Sequence, residues 1–121
     1  MTIENIEIHT KQDYVHIILT YETLGISKTA EVSKKLHDYL DNENKDMPQN
    51  IVFDLCSVKY IDSSGIGVIV SLLTKCKKQN RVAAIYTTNK ELMRNIKISK
   101  IDLLFPLFLD FDQTIEFITN K

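Results

Sequence analysis

The sequence predicts an α/β fold: a mostly parallel sheet of four to five strands covered by about four helices. Two observations carry this. Short runs rich in β-branched and aromatic residues alternate along the chain with longer stretches whose apolar residues recur at spacings of three and four. The connections between them are short, so the order β-β-α-β-α-β-α-β-α leaves each helix to cross over the sheet between parallel strands.

Residues 3–9 form a weak strand through Ile3, Ile6 and Ile8, and residues 14–21 a stronger one through Val15, Ile17, Ile18, Thr20 and Tyr21. The link around residues 11–13 is short enough to make this first pair antiparallel. Residues 27–42 are helical, with Ala30, Val32, Leu36, Tyr39 and Leu40 on the apolar face and Ser27 or Thr29 as the cap. Residues 41–50, rich in Asn, Asp and Lys and containing Pro48, read as a loop. Residues 51–55 are a continuous apolar run, as in a central strand buried on both faces. Residues 64–78 form a helix with Ile66, Ile69, Val70, Leu72, Leu73 and Cys76 inward. Residues 82–86 form another buried strand, and residues 89–98 a helix with Leu92, Met93 and Ile96 inward. Residues 104–109 are expected to be a strand, which Pro106 confines to the sheet edge because proline has no N–H to give the ladder. Asp110 or Asp112 opens a last helix through Ile115 and Ile118.

Composition narrows the function. The 121 residues are 44% hydrophobic and 26% charged, ordinary for a globular domain. Fifteen basic and 16 acidic residues leave a net charge of −1, with no electrostatic footprint for nucleic acid or an anionic membrane. Cys56 and Cys76 are far apart and outside any CxxC spacing, which argues for buried free thiols. Residues 1–11 contain acids and no apolar core of a signal peptide, and the longest apolar stretches, residues 66–70 and 103–109, are too short to span a bilayer. A cytoplasmic location is expected.

The informative segment lies at the end of the central strand, where Ile51-Val-Phe-Asp-Leu runs through a loop into Asp62-Ser63-Ser64-Gly65-Ile66-Gly67-Val68. Asp and Ser are strong helix caps, and capping alone would account for one of them. Two glycines in the first turns of a helix are harder to explain, because each costs roughly 1 kcal/mol relative to alanine. Gly65 and Gly67 are expected to bare the surface beside Ser64. Ser64, Gly67, Ser71, Thr74 and Lys78 then fall on one small, polar stripe away from the apolar face. A helix N-terminus also tolerates a phosphate, because its free N–H groups and partial positive charge face the anion.

This strand with Asp62-Ser-Ser-Gly-Ile-Gly-Val resembles the phosphorylation-site motif of bacterial anti-sigma-factor antagonists, which carry the STAS fold. The order of Ala83–Thr87, Glu91-Leu-Met-Arg-Asn, Ile101-Asp-Leu-Leu-Phe and Phe111-Asp-Gln-Thr-Ile-Glu is similar to the family's C-terminal half. The resemblance implies that residues 1–121 form a single STAS domain, that Ser64 is the phosphorylated residue, and that Asp62, Ser63, Ser64, Gly65, Gly67, Ser71 and Thr74 meet the partner. It implies a partner-switching regulator of transcription rather than an enzyme. An anti-sigma factor that is also a serine kinase would supply nucleotide, metal and base, and a phosphatase would reset the switch. The chain itself needs no cofactor, and it has neither a Gly-Lys-Ser/Thr phosphate loop nor a metal-ligand cluster in its sequence. One region departs from the family: Tyr21-Glu22-Thr23-Leu24-Gly25 replaces a common Gly-Glu-Leu-Asp ending of the second strand and is lengthened.

Three other readings compete. Asp54 ends a buried strand as a receiver-domain phosphoacceptor does, but the first strand is followed by His9-Thr-Lys-Gln-Asp without the acidic pair that holds Mg²⁺. A serine hydrolase needs a base beside its serine; His9, His16 and His37 are the candidates, and the motif is not the Gly-x-Ser-x-Gly elbow. A STAS domain serving as an unphosphorylated subunit of a sensory or lipid-transport complex is the alternative closest to the favoured reading, since fold does not dictate function.

Overall fold

The computed structural model describes residues 2–42, 48–100 and 105–120. Its elements are β1 (Thr2–Ile3), β2 (Ile6–Thr10), β3 (Val15–Leu19), β4 (Thr23–Leu24), α1 (Ile26–Asp41), β5 (Asn50–Asp54), β6 (Tyr60–Ile61), α2 (Ser63–Lys78), β7 (Val82–Tyr86), α3 (Lys90–Ile98), β8 (Leu107–Phe108) and α4 (Phe111–Thr119). One sheet runs β1-β2-β3-β5-β7-β8. The β1–β2 and β2–β3 pairs are antiparallel, and β3–β5, β5–β7 and β7–β8 are parallel. This is the mostly parallel α/β sheet with four helices that the sequence predicts, extended by the two-residue β1.

Period-two alternation decides which side chains enter which layer. On β3, Val15, Ile17 and Leu19 are fully buried while His16 and Ile18 on the other face are half-buried. On β5, Ile51 and Phe53 join the main core with Val32, Leu36 and Leu40 of α1 and Ile69, Leu72 and Cys76 of α2. Val52 faces the opposite way, into a smaller cluster with Ala84 and Ile118 of α4. A strand covered on both faces has no polar side to show, which is why β5 reads as an unbroken apolar run. Phe105, Leu107, Phe108 and Phe111, each half-buried, pack against these two clusters.

Several boundaries differ from expectation. The first strand is a tight hairpin, β1 to β2, with Asn5 at φ 64° in its turn, a conformation asparagine tolerates better than most residues. The second strand ends at Leu19, and Tyr21 beyond it is buried with its hydroxyl donating to Glu31 Oε2 at 2.7 Å. Helix α1 begins at Ile26 behind Gly25, so neither Ser27 nor Thr29 caps it. The last strand is confined to Leu107–Phe108 at the sheet edge; Pro106 precedes it and gives its carbonyl to the Ile85 N–H at 2.9 Å. Leu104, placed in that strand from sequence, lies outside the described residues, as does most of the loop around residues 43–47 and residues 101–104 of the family resemblance. Asn89 and Asp110 cap α3 and α4 through their side chains. Cys76 is buried, Cys56 only half-buried, and both thiols are free.

Candidate functional site

The chain leaves β5 through buried Leu55 and Val58 and enters the short strand β6. There it meets the segment that departs from the family pattern. Within residues 21–25 lies β4, which pairs in parallel with β6 (Thr23 with Tyr60, Leu24 with Ile61). The Lys59 N–H also donates to Glu22 O at 2.8 Å. This small second sheet lies directly before the Asp62-Ser-Ser-Gly motif and brings the start of α1 against the start of α2.

Asp62 is the centre of that junction. Its Oδ1 accepts the Gly65 N–H at 3.0 Å, the bond expected of an N-cap. The same oxygen accepts the Ser64 hydroxyl at 2.5 Å. Its Oδ2 accepts the Ile26 N–H of α1 at 3.0 Å. One carboxylate therefore serves two helix N-termini and the candidate phosphorylation site. The Ser64 hydroxyl first, then the Gly65 and Ile26 N–H groups, stabilise its charged form and hold it below the usual carboxylate value.

The two glycines have different roles. A Cβ on Gly67 would meet nothing within 4 Å, so this position does bare the helix surface. Gly65 is buried, and a Cβ there would collide with the Leu24 carbonyl oxygen and Ile61. The expectation that Gly65 clears space beside Ser64 is corrected: it clears space beneath, for β4 to approach α2. Ser63 is exposed and Ser64 half-buried. Farther along α2, exposed Ser71 and half-buried Thr74 line a groove with His37, Lys75 and Lys78. His37 Nε2 lies 3.0 Å from Ser71 Oγ, and burial first, then the Lys75 charge, pushes the imidazole pKa down. Lys75 also pairs with Asp41 of α1 at 2.5 Å.

Two surface residues next to the motif had no signal in the helical periodicity. Ile26 is 80% exposed and Tyr60 61% exposed, both large apolar side chains flanking Asp62. The lengthened segment at residues 21–25 was the only sequence sign that something differs here. Asp54, the rival phosphoacceptor, is 7% exposed. Its carboxylate lies 2.7 Å from His16 Nε2 and accepts the Cys56 N–H at 2.9 Å. Burial raises its pKa, but His16 and Cys56 outweigh that and leave it lowered. Hydrogen bonds of His9, His16 and His37 go to Glu7, Asp54 and Ser71, and that of the Ser64 hydroxyl to Asp62. Among the described residues no group of three or more His, Cys, Asp or Glu side chains is arranged to hold a metal, and no helix is long and apolar enough to cross a membrane.

Comparison with known proteins agrees with this fold. An anti-sigma factor antagonist from Mycobacterium paratuberculosis superposes with a TM-score of 0.79 at 14% identity, over 93% of this chain and 92% of that one. The anti-sigma factor antagonist SpoIIAA in its unphosphorylated form gives 0.72 at 11% identity, over 96% and 97%. SpoIIAA of Bacillus in its phosphorylated form gives 0.63 at 12%, over 92% and 96%. The fold also recurs within a murine Solute Carrier 26 family anion transporter, with a TM-score of 0.77 at 10% identity, over 92% of this chain and 18% of the transporter. The STAS domain model matches residues 5–114, and the chain belongs to the STAS domain family.

Proposed function

We propose that the chain is an anti-sigma factor antagonist whose binding to an anti-sigma factor with serine kinase activity is controlled by phosphorylation of Ser64. The observation that carries this reading is the Ser64 hydroxyl, held by Asp62 at the start of α2 beside the open surface at Gly67. Asp62, Ser63, Ser64, Gly67, Ser71 and Thr74 form the partner surface, and Gly65 supports it from below. The domain acts in the cytoplasm as a binding switch without chemistry of its own, the partner bringing nucleotide and metal and a phosphatase resetting Ser64.

Phosphorylation adds about −1.5 to −2 charges. At an interface fitted to a small hydroxyl this introduces a steric clash and a desolvation penalty. A penalty of roughly 3–4 kcal/mol weakens binding several-hundred-fold. The test is incubation with ATP and the kinase encoded nearest the gene, followed by mass spectrometry. Phosphate on Ser64, lost in Ser64→Ala, is expected. Partner binding as tight after phosphorylation as before would refute the switch. A second reading is an unphosphorylated STAS subunit of a sensory or lipid-transport complex, since the same fold recurs as one part of an anion transporter. That reading predicts no phosphate on Ser64 and a tight partner whose binding survives Ser64→Ala.

A further inference from the structure

We infer that Asp62 is a positioning residue that carries the state of Ser64 to the start of α1, so that the surface switched by phosphorylation extends to Ile26. The inference rests on the proposal that Ser64 is phosphorylated, and it begins from two observations. First, α1 has no side-chain cap of its own. Gly25 precedes it, and the Ile26 N–H is held instead by Asp62 Oδ2, a residue far along the chain. Second, Gly25 has φ −131°, an extended conformation that any residue adopts, so its backbone does not demand glycine. A Cβ at position 25 would, however, lie 2.9 Å from Asp62 Oδ2, closer than real Cβ contacts come, so the carboxylate, a movable side-chain tip, would have to shift. The chain is therefore clear of a side chain at the point where the Asp62 carboxylate closes on α1.

Phosphorylation breaks this arrangement from the other end. Ser64 Oγ bonds to the γ-phosphorus of a nucleoside triphosphate, the bond to the leaving nucleoside diphosphate breaks, and the hydroxyl proton passes to the base supplied by the kinase. The ester oxygen has no hydrogen to donate, so the bond to Asp62 Oδ1 is lost. A phosphate dianion now stands beside a carboxylate that was 2.5 Å from Oγ. Like charges at that distance repel, and the phosphate competes for the first-turn N–H groups of α2. Asp62 swings away, and because its two oxygens move together, the Ile26 N–H loses its acceptor. Ile26 is 80% exposed, so a change in its position is presented directly to a partner.

The measurement is amide hydrogen exchange by NMR on the whole chain, with phosphoserine placed at position 64 during translation. Ile26 should exchange about tenfold faster than in the unmodified protein, the scale of one lost hydrogen bond to a charged group. Leu36 and Leu40 in the buried part of α1 should be unchanged. Gly25→Ala, which displaces the carboxylate while residue 64 remains an unmodified serine, should speed Ile26 exchange by a similar factor, and Asp62→Ala should do the same. Unchanged exchange at Ile26 in the phosphoserine protein overturns the coupling. Faster exchange there with no effect of Gly25→Ala or Asp62→Ala overturns Asp62 as its carrier. Since no kinase is used, failure of every kinase to modify Ser64 would sink the proposed function and leave this result standing.

Discussion

Asp54 and Asp62 stand at opposite ends of the same loop and do different work. Asp54 ends β5 on the face covered by α4, 7% exposed, with the His16 imidazole and the backbone Cys56 N–H as partners. Asp62 lies at the surface, and its partners are the first N–H groups of two helices and one hydroxyl. Both carboxyls are held below the usual value, yet for different reasons: burial opposes the charge at Asp54 and is overcome, whereas at Asp62 the hydrogen bonds dominate. The lesson is that a shifted carboxylate at a strand end is not by itself a functional site. Asp54 joins two neighbouring strands of the central sheet, and Asp62 joins two helix starts beside the serine proposed to be phosphorylated.

The comparison is broken most severely at Asp54. Asp54→Ala leaves His16 beside an empty buried site and should destabilise the domain by about 3 kcal/mol, measured by urea denaturation. Partner binding, measured on the fraction that remains folded, should be unaffected. Gly65→Ala comes next, because its methyl meets the Leu24 backbone rather than a movable side-chain tip. A loss of about 2 kcal/mol is expected from forcing β4 and α2 apart. Asp62→Ala should shift the urea midpoint less than either and still weaken partner binding strongly. A larger stability loss at Asp62 than at Asp54 would reverse the contrast drawn here.

The pH response sharpens the same point. A carboxyl whose folded pKa is lowered contributes stability that is fully present above its unfolded value, about 3.9 for aspartate, and is lost as pH falls through the folded value. The Asp54 contribution should therefore decline as pH falls from about 5 through about 4 and below. Urea midpoints taken across that range should fall less steeply in Asp54→Asn than in the parent protein. The smallest effect is expected at Gly67→Ala. With open space around it, the added methyl should stabilise α2 by about 0.5–1 kcal/mol. It should nonetheless weaken partner binding, since it raises the surface beside Ser64. Stabilisation with unchanged binding would remove Gly67 from the partner surface.

Local patterns were legible in the sequence because they depend on neighbours in the chain. The apolar period of residues 89–98 is α3 with Leu92, Met93 and Ile96 buried, and the run at residues 82–86 is β7. Asp62 and Asp110 cap the helices they precede, bonding N–H groups only three residues on, and the motif that carries the family resemblance is likewise contiguous. Proline at position 106 pointed to the sheet edge because a missing N–H is a property of the residue itself.

Tertiary structure alone decided the rest. That Gly65 is buried and Gly67 open depends on which side of α2 the segment at residues 21–25 lands, and nothing in the helix repeat says so. The β4–β6 pair, the His16–Asp54 contact and the bond from Ile26 to Asp62 each join residues from separate parts of the chain. Such bonds follow from register and packing, which are set by the whole core at once. The sequence therefore determined the sheet, the helices and the serine at the tip of α2. Only the folded chain could show that the carboxylate holding that serine also holds the first turn of α1.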